Sequence, residues 1–130
     1  MKILVGYRGT NVGQDLLELA RKHAMAFEGE VIIVTSLIGG DKTTNEQVIE
    51  AEDLLDEAKT YFDEKKIDCE THLLVRGYSA GEDIVRYAEE KEVDQILIGV
   101  KSRSKVGKLI FGSTAQYVIL KAPCPVTTVR

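Results

Sequence analysis

The chain has 130 residues and a formal net charge of −4, with 44% hydrophobic and 29% charged residues, the balance of one ordinary globular domain. That composition excludes a disordered or collagen-like chain, and no apolar run approaches the roughly 18 to 20 residues that span a bilayer. The N-terminus, Met1-Lys2-Ile3-Leu4-Val5-Gly6, lacks the longer apolar region and cleavage site of a signal peptide, so a cytoplasmic protein is expected.

Ile3-Leu4-Val5 followed by Gly6 and Gly9 reads as a short buried strand entering a turn. Asn11 to Gln14 has capping-box form, and Leu16, Leu17, Ala20, Ala24 and Phe27 recur at helical spacing before Gly29. Val31 to Val34 is apolar and β-branched throughout, as in a strand covered on both faces. Gly39-Gly40-Asp41 breaks it.

Thr43 to Glu46 offers an N-cap for a long helix reaching about Lys66, with Val48, Ala51, Leu55, Ala58 and Phe62 as its apolar stripe. Thr71 to Val75 is a third strand. Ser79 to Glu82 is a second capping box, opening a helix marked by Ile84, Val85 and Ala88. Gln95 to Gly99 is a fourth strand. Ser113 to Gln116 caps a last helix carrying Ala115, Val118 and Ile119, and Ala122-Pro123-Cys124-Pro125 stops it before a fifth strand, Val126 to Val129. Strands alternate with helices from end to end, which argues for a doubly wound α/β domain with a parallel sheet and helices on both faces. Residues 1–130 form that one domain.

Chemistry narrows the choice. Cys69 and Cys124 lack the close spacing of a zinc or redox pair and read as buried free thiols. His23 and His72 fall in no metal motif, and no metal site is expected from protein ligands. No Ser–His–Asp set and no paired carboxylates stand near the carboxyl ends of the strands, so a catalytic role is not expected.

Charge is uneven along the chain. Residues 1–94 hold 11 cations against all 21 acids, while residues 95–130 hold six cations and no acid. Four of those six, Lys101, Arg103, Lys105 and Lys108, crowd the loop after the fourth strand. In open α/β sheets ligands bind beyond the carboxyl ends of the strands. A cation-rich loop there, ending in Gly112-Ser113 at a helix start, suits an anionic ligand. A solvated surface loop is the plainer reading. Neither a Walker A loop nor G-x-G-x-x-G is present.

Gly99-x-x-Ser102, nine further residues and then Gly112-Ser113 resemble the G-x-x-G-x9-G-[ST] nucleotide loop of universal stress proteins. Asp94 ahead of an apolar strand ending in Gly99, Gly77-x-Ser-Ala80, and Ala122-Pro123-Cys124-Pro125-Val126 extend the likeness over the whole chain, nearer the ATP-binding branch. The resemblance implies a five-stranded parallel sheet in the order 3-2-1-4-5. It implies a site for ATP, ADP or AMP, with or without Mg2+, and at most slow ATP hydrolysis. Its residues would be Tyr7, Arg8, Gly9 and Thr10 after the first strand and Ser36 and Leu37 after the second. Gly99, Val100, Lys101, Ser102 and Arg103 follow the fourth, and Gly112, Ser113, Thr114 and Ala115 open the last helix. It also implies a homodimer through Val126, Thr127, Thr128 and Val129 and a stress-response or signalling role with an unidentified partner protein.

Two positions depart from the pattern. Ser102 replaces the second loop glycine, and Arg8 stands where ATP-binding members commonly carry Asp, so a modest affinity is expected. Two rivals stay open: a dimeric interaction module that binds no nucleotide, and a binder of another phosphorylated metabolite. Neither nucleic acid nor membrane is an expected partner, because most of the domain is acidic.

Overall fold

In a computed structural model the described residues are 1–8, 11–100 and 112–130. Five strands form one parallel sheet: β1 (Lys2–Gly6), β2 (Glu30–Leu37), β3 (Cys69–Val75), β4 (Gln95–Gly99) and β5 (Val126–Val129). Their order is β3-β2-β1-β4-β5, as the resemblance implies. Between them run α1 (Asn11–Phe27), α2 (Asn45–Glu64), α3 (Ala80–Lys91) and α4 (Ser113–Lys121).

Side chains alternate across a strand, and the central strands use both faces. Leu4, Ile32, Val34, Ile96 and Ile98 meet Ile84, Val85 and Ala88 of α3 and Ala115 and Val118 of α4. Their neighbours Ile3, Val5, Val31, Ile33 and Leu97 meet Leu16, Leu17 and Ala20 of α1 and Leu55, Ala58 and Phe62 of α2. β1 is thus buried from both sides, and Ile3, Leu4 and Val5 are wholly inaccessible. An apolar run without a polar alternate is what such a position demands.

Helix starts differ from the sequence expectation in register. Thr44, within the Thr43–Glu46 stretch, is the cap of α2 and forms a capping box with Gln47. Ser79 caps α3 in position only, since its side chain makes no capping hydrogen bond. α4 is capped by Gly112, so Ser113 is already inside the helix. At the exit of α1, Glu28 rather than Gly29 takes the left-handed conformation (φ 50°). The Gly29 N–H then closes the helix on the Ala24 carbonyl.

The stripes also end sooner than their periodicity suggests. Phe27, the last residue of α1, and Ile119, in the last turn of α4, are exposed. Val48, in the first turn of α2, is half-buried, and both cysteines are half-buried free thiols rather than fully buried ones. Burial pushes the Cys69 thiol up to about 12, so it stays protonated and unreactive at neutral pH. Among the described residues no helix is long and apolar enough to cross a membrane.

Candidate functional site

A cleft of about 290 Å³ opens at the carboxyl edge of the sheet. Its floor is the ends of β1, β2 and β4, through Gly6, Val34, Ser36 and Ile98. This is the crevice where strand order reverses, with β2 and β4 flanking β1 and their crossover helices on opposite sides.

One wall is the start of α4. Gly112, Ser113, Thr114 and Ala115 all line the cleft, beside Gly99 and Val100. Gly112 has φ −69°, open to any residue, and offers no side chain to cap the helix. The N-cap itself thus supplies no side chain to the first N–H groups of α4, whose partial positive charge stands beside the cleft. α4 is held there by Gly81 of α3. A Cβ built on Gly81 would stand 2.9 Å from Tyr117 Cβ and 3.2 Å from the Thr114 carbonyl oxygen.

The adjoining wall is α3 with the end of β2. Ala80 and Ile84 line the cleft there with Ser36. Behind them sits Asp83, wholly buried. The Ser36 hydroxyl donates to Asp83 Oδ2 at 2.6 Å. The Arg76 guanidinium donates to Asp83 Oδ1 through Nε at 2.7 Å and reaches it with its second nitrogen at 2.6 Å. Arg76 also grips Glu90 at 2.9 Å and 3.1 Å. Desolvation opposes the Arg76 charge, but the bonds and charges of Glu90 and Asp83 outweigh it and raise the guanidinium's pKa.

Tyr7, Arg8, Ser36, Gly99, Val100, Gly112, Ser113, Thr114 and Ala115 come together around the cleft. Tyr7 is buried, and desolvation, then the charge of Glu57, pushes its phenol upward. Leu37 ends β2 without lining the cleft. Gly9, Thr10, Lys101, Ser102 and Arg103 lie outside the described residues. Sequence reasoning missed the apolar lining by Leu16, Val34, Ile84 and Ile98, and with it Asp83 and Arg76. The available signal was an acid inside the apolar stripe of α3, between Ala80 and Tyr87 at helical spacing.

The histidines stand apart. His23 Nδ1 pairs with the Gln95 side chain at 3.0 Å, and His72 pairs with Glu70 at 3.3 Å. Neither lines the cleft. Among the described residues no group of three or more His, Cys, Asp or Glu could hold a metal ion.

The whole chain, residues 1–130, matches the Universal stress protein family. The chain belongs to the universal stress protein family. A universal stress protein of Archaeoglobus fulgidus superposes with a TM-score of 0.91 at 37% identity, over 99% of this chain and 97% of that one. A second structure of a universal stress protein from that organism, in complex with dAMP, gives a TM-score of 0.84 at 32% identity, over 99% and 96%. A curated universal stress protein of Methanocaldococcus jannaschii is 28% identical, over 99% of this chain and 81% of its own length.

Proposed function

We propose that this universal stress protein binds an adenine nucleotide in the cleft at the carboxyl edge of its sheet and works as a cytoplasmic stress-response or signalling module. The observation that carries the reading is the start of α4, with glycine as its N-cap, lining the cleft beside Gly99 and Val100, in a chain 32% identical to a protein solved with dAMP. Backbone N–H groups at a helix start bind phosphate without any dedicated side chain. The phosphates belong at that wall. ATP, ADP and AMP share the group that this wall receives, and ATP brings Mg2+ on its own phosphate oxygens.

Calorimetry with the three nucleotides tests the reading. Saturable heat at sub-millimolar to millimolar nucleotide is expected. No heat from folded protein at millimolar nucleotide would favour an interaction module that binds no nucleotide. Heat from another phosphorylated metabolite alone would favour the remaining rival.

A homodimer through β5 completes the proposal. β5 is the outer strand beside β4, and an outer strand leaves a row of N–H and C=O groups for a second chain. Val126, Thr127 and Val129 are half-buried and Thr128 is exposed. Beside them, α4 exposes Tyr117, Ile119 and Leu120, the last at 78%. Apolar side chains next to an open edge suit a self-complementary patch about a two-fold axis. Sedimentation should give a dimer at tens of micromolar, and Thr127→Pro should weaken it by removing one N–H from that edge. A parent protein that sediments as monomer ends the dimer reading.

A further inference from the structure

β5 is one open edge of the sheet and β3 is the other. Successive residues of a strand turn their N–H and C=O groups to opposite sides. The Val31 N–H donates to the Asp68 carbonyl, and β2 and β3 stay in register from Val31–Cys69 to Leu37–Val75. Glu70, His72 and Leu74 therefore bond to β2, while Cys69, Thr71, Leu73 and Val75 turn theirs outward. Among the described residues nothing pairs with that outward row. Neither proline nor bulge blunts it, and its exposed charge is Glu70.

Side chains alternate across β3. Glu70 and His72 share the α3 face with Leu74, and Cys69, Thr71 and Leu73 share the α2 face. His72 Nε2 lies 3.3 Å from Glu70 Oε2, and its ring leans on Tyr87 at 5.9 Å between centroids. A second β3, antiparallel about a two-fold axis, must set outward residues against outward residues. Centred on Glu70, it opposes Glu70 to Glu70. Centred on His72, it opposes His72 to His72 and Glu70 to apolar Leu74. Centred on Leu73, it opposes Glu70 to Arg76, which Asp83 and Glu90 already hold. Centred on Thr71, it opposes each Glu70 to the second copy's His72, Thr71 to Thr71 and Cys69 to Leu73. That register matches every pair on both faces.

We propose that the β3 edge is a self-association surface, where a second copy of this chain adds its own β3 antiparallel about a two-fold axis at Thr71. Protonated, His72 donates from both ring nitrogens, one to its own Glu70 and one to the second copy's. Neutral, it has one N–H for two carboxylates. Association therefore takes up protons and tightens as pH falls through the histidine range. Around the ring, Glu70 of both copies and Glu90 favour the proton, whereas Arg76 and Lys91, both over Tyr87, oppose it. The surface is independent of β5: with both edges paired, copies string into an open row, and with β3 alone they stop at a dimer.

Cross-linking reads β3 whatever β5 does. Cα atoms of a hydrogen-bonded antiparallel pair stand about 5.5 Å apart, within disulfide reach. Thr71→Cys, in a chain also carrying Cys69→Ser and Cys124→Ser, should give a covalent dimer on mild oxidation at tens of micromolar. Lys22→Cys in the same background, on exposed α1 surface, should not.

Sedimentation reads the charges. The parent should associate several-fold more tightly at pH 6 than at pH 8. Glu70→Lys and His72→Glu should each weaken association at pH 6 by about tenfold, since each spoils two cross-strand pairs. The double variant restores opposite charges in the same register, so it should recover the parent's affinity and lose the pH dependence. Both positions are accessible, and circular dichroism checks that each variant is folded. A parent that is monomeric at pH 6 overturns the inference. So does association that neither single change weakens, which belongs to another surface, and so does a double variant as weak as the singles.

Discussion

The two walls of the cleft are built on opposite plans. The α4 wall presents backbone: Gly99, Gly112 and the first turn of a helix whose N-cap is glycine. The α3 wall presents a side-chain network, with Ser36 fixed by buried Asp83 and Asp83 fixed by Arg76. A wall of N–H groups attracts any anion, because a helix start discriminates charge rather than shape. A wall of committed side chains discriminates donors from acceptors, because each group is already half satisfied. Affinity and selectivity therefore sit in different residues, and substitutions should separate them.

The largest expected effect is on the side-chain wall. Arg76→Met removes the charged partner of a carboxylate that has no access to water. Leaving a buried charge unpaired typically costs about 3 kcal/mol or more. The Arg76 side chain is 29% exposed, so water entering its place recovers part of that loss. A fall of about 2–3 kcal/mol in unfolding free energy by urea titration is expected. A change under about 0.5 kcal/mol would mean that the network is not what holds β3 to α3.

On the backbone wall the effect should move from stability to binding. Gly112→Val keeps an allowed backbone, since φ is −69° there, but places a branched side chain where phosphate would approach. Nucleotide heat should vanish at millimolar ligand. Stability should fall by only about 1 kcal/mol, the difference between good and poor residues at an N-cap. If Gly112→Val binds nucleotide like the parent, the phosphate is not at α4.

This contrast also explains what could be read from the sequence. Backbone features announce themselves locally: Gly99, Gly112 and Ser113 stand at fixed spacing along the chain. Strand order was carried by the resemblance of those motifs rather than by periodicity, which gives only the alternation of strands and helices. Ser36 and Asp83 are 47 residues apart, and no local pattern pairs them. Asp83 looks like one more acid in the first turn of a helix, where acids are common on the surface. Its burial follows from the packing of α3 against β2, a property of the assembled sheet. Cap positions were legible only to within a residue because Thr43 and Thr44, or Gly112 and Ser113, satisfy the same sequence rule.

Gly81 joins the two walls, and its effect should be intermediate. Gly81→Ala gains about 0.5–1 kcal/mol of helix propensity within α3. The new methyl must, however, displace Tyr117 Cβ from 2.9 Å, which is main-chain-anchored and cannot swing away. Overpacking of this kind costs about 1–3 kcal/mol, so a net loss of about 1 kcal/mol is expected. Because the displaced element is the start of α4, AMP affinity should fall with it. Loss of stability with unchanged affinity would show that the walls move independently.

The smallest stability effect belongs to Ser113→Ala. A serine at a helix start is ordinarily its cap, and removal of a capping Ser or Thr costs about 1 kcal/mol. Thr44→Ala should show that cost, since Thr44 accepts from the Gln47 N–H at 3.1 Å and completes a capping box. Ser113 is different. It lies one residue inside α4, after the N-cap Gly112. Alanine is the better helix former at an interior position, so thermal unfolding of Ser113→Ala should match the parent within about 0.5 kcal/mol or lie slightly above it. Its hydroxyl borders the cleft, and a donor lost from a phosphate contact costs about 1 kcal/mol of binding, near fivefold in affinity. Weaker AMP binding at unchanged stability places the hydroxyl on the ligand. A loss of stability comparable to that of Thr44→Ala would instead make Ser113 a cap and deprive the backbone wall of its hydroxyl.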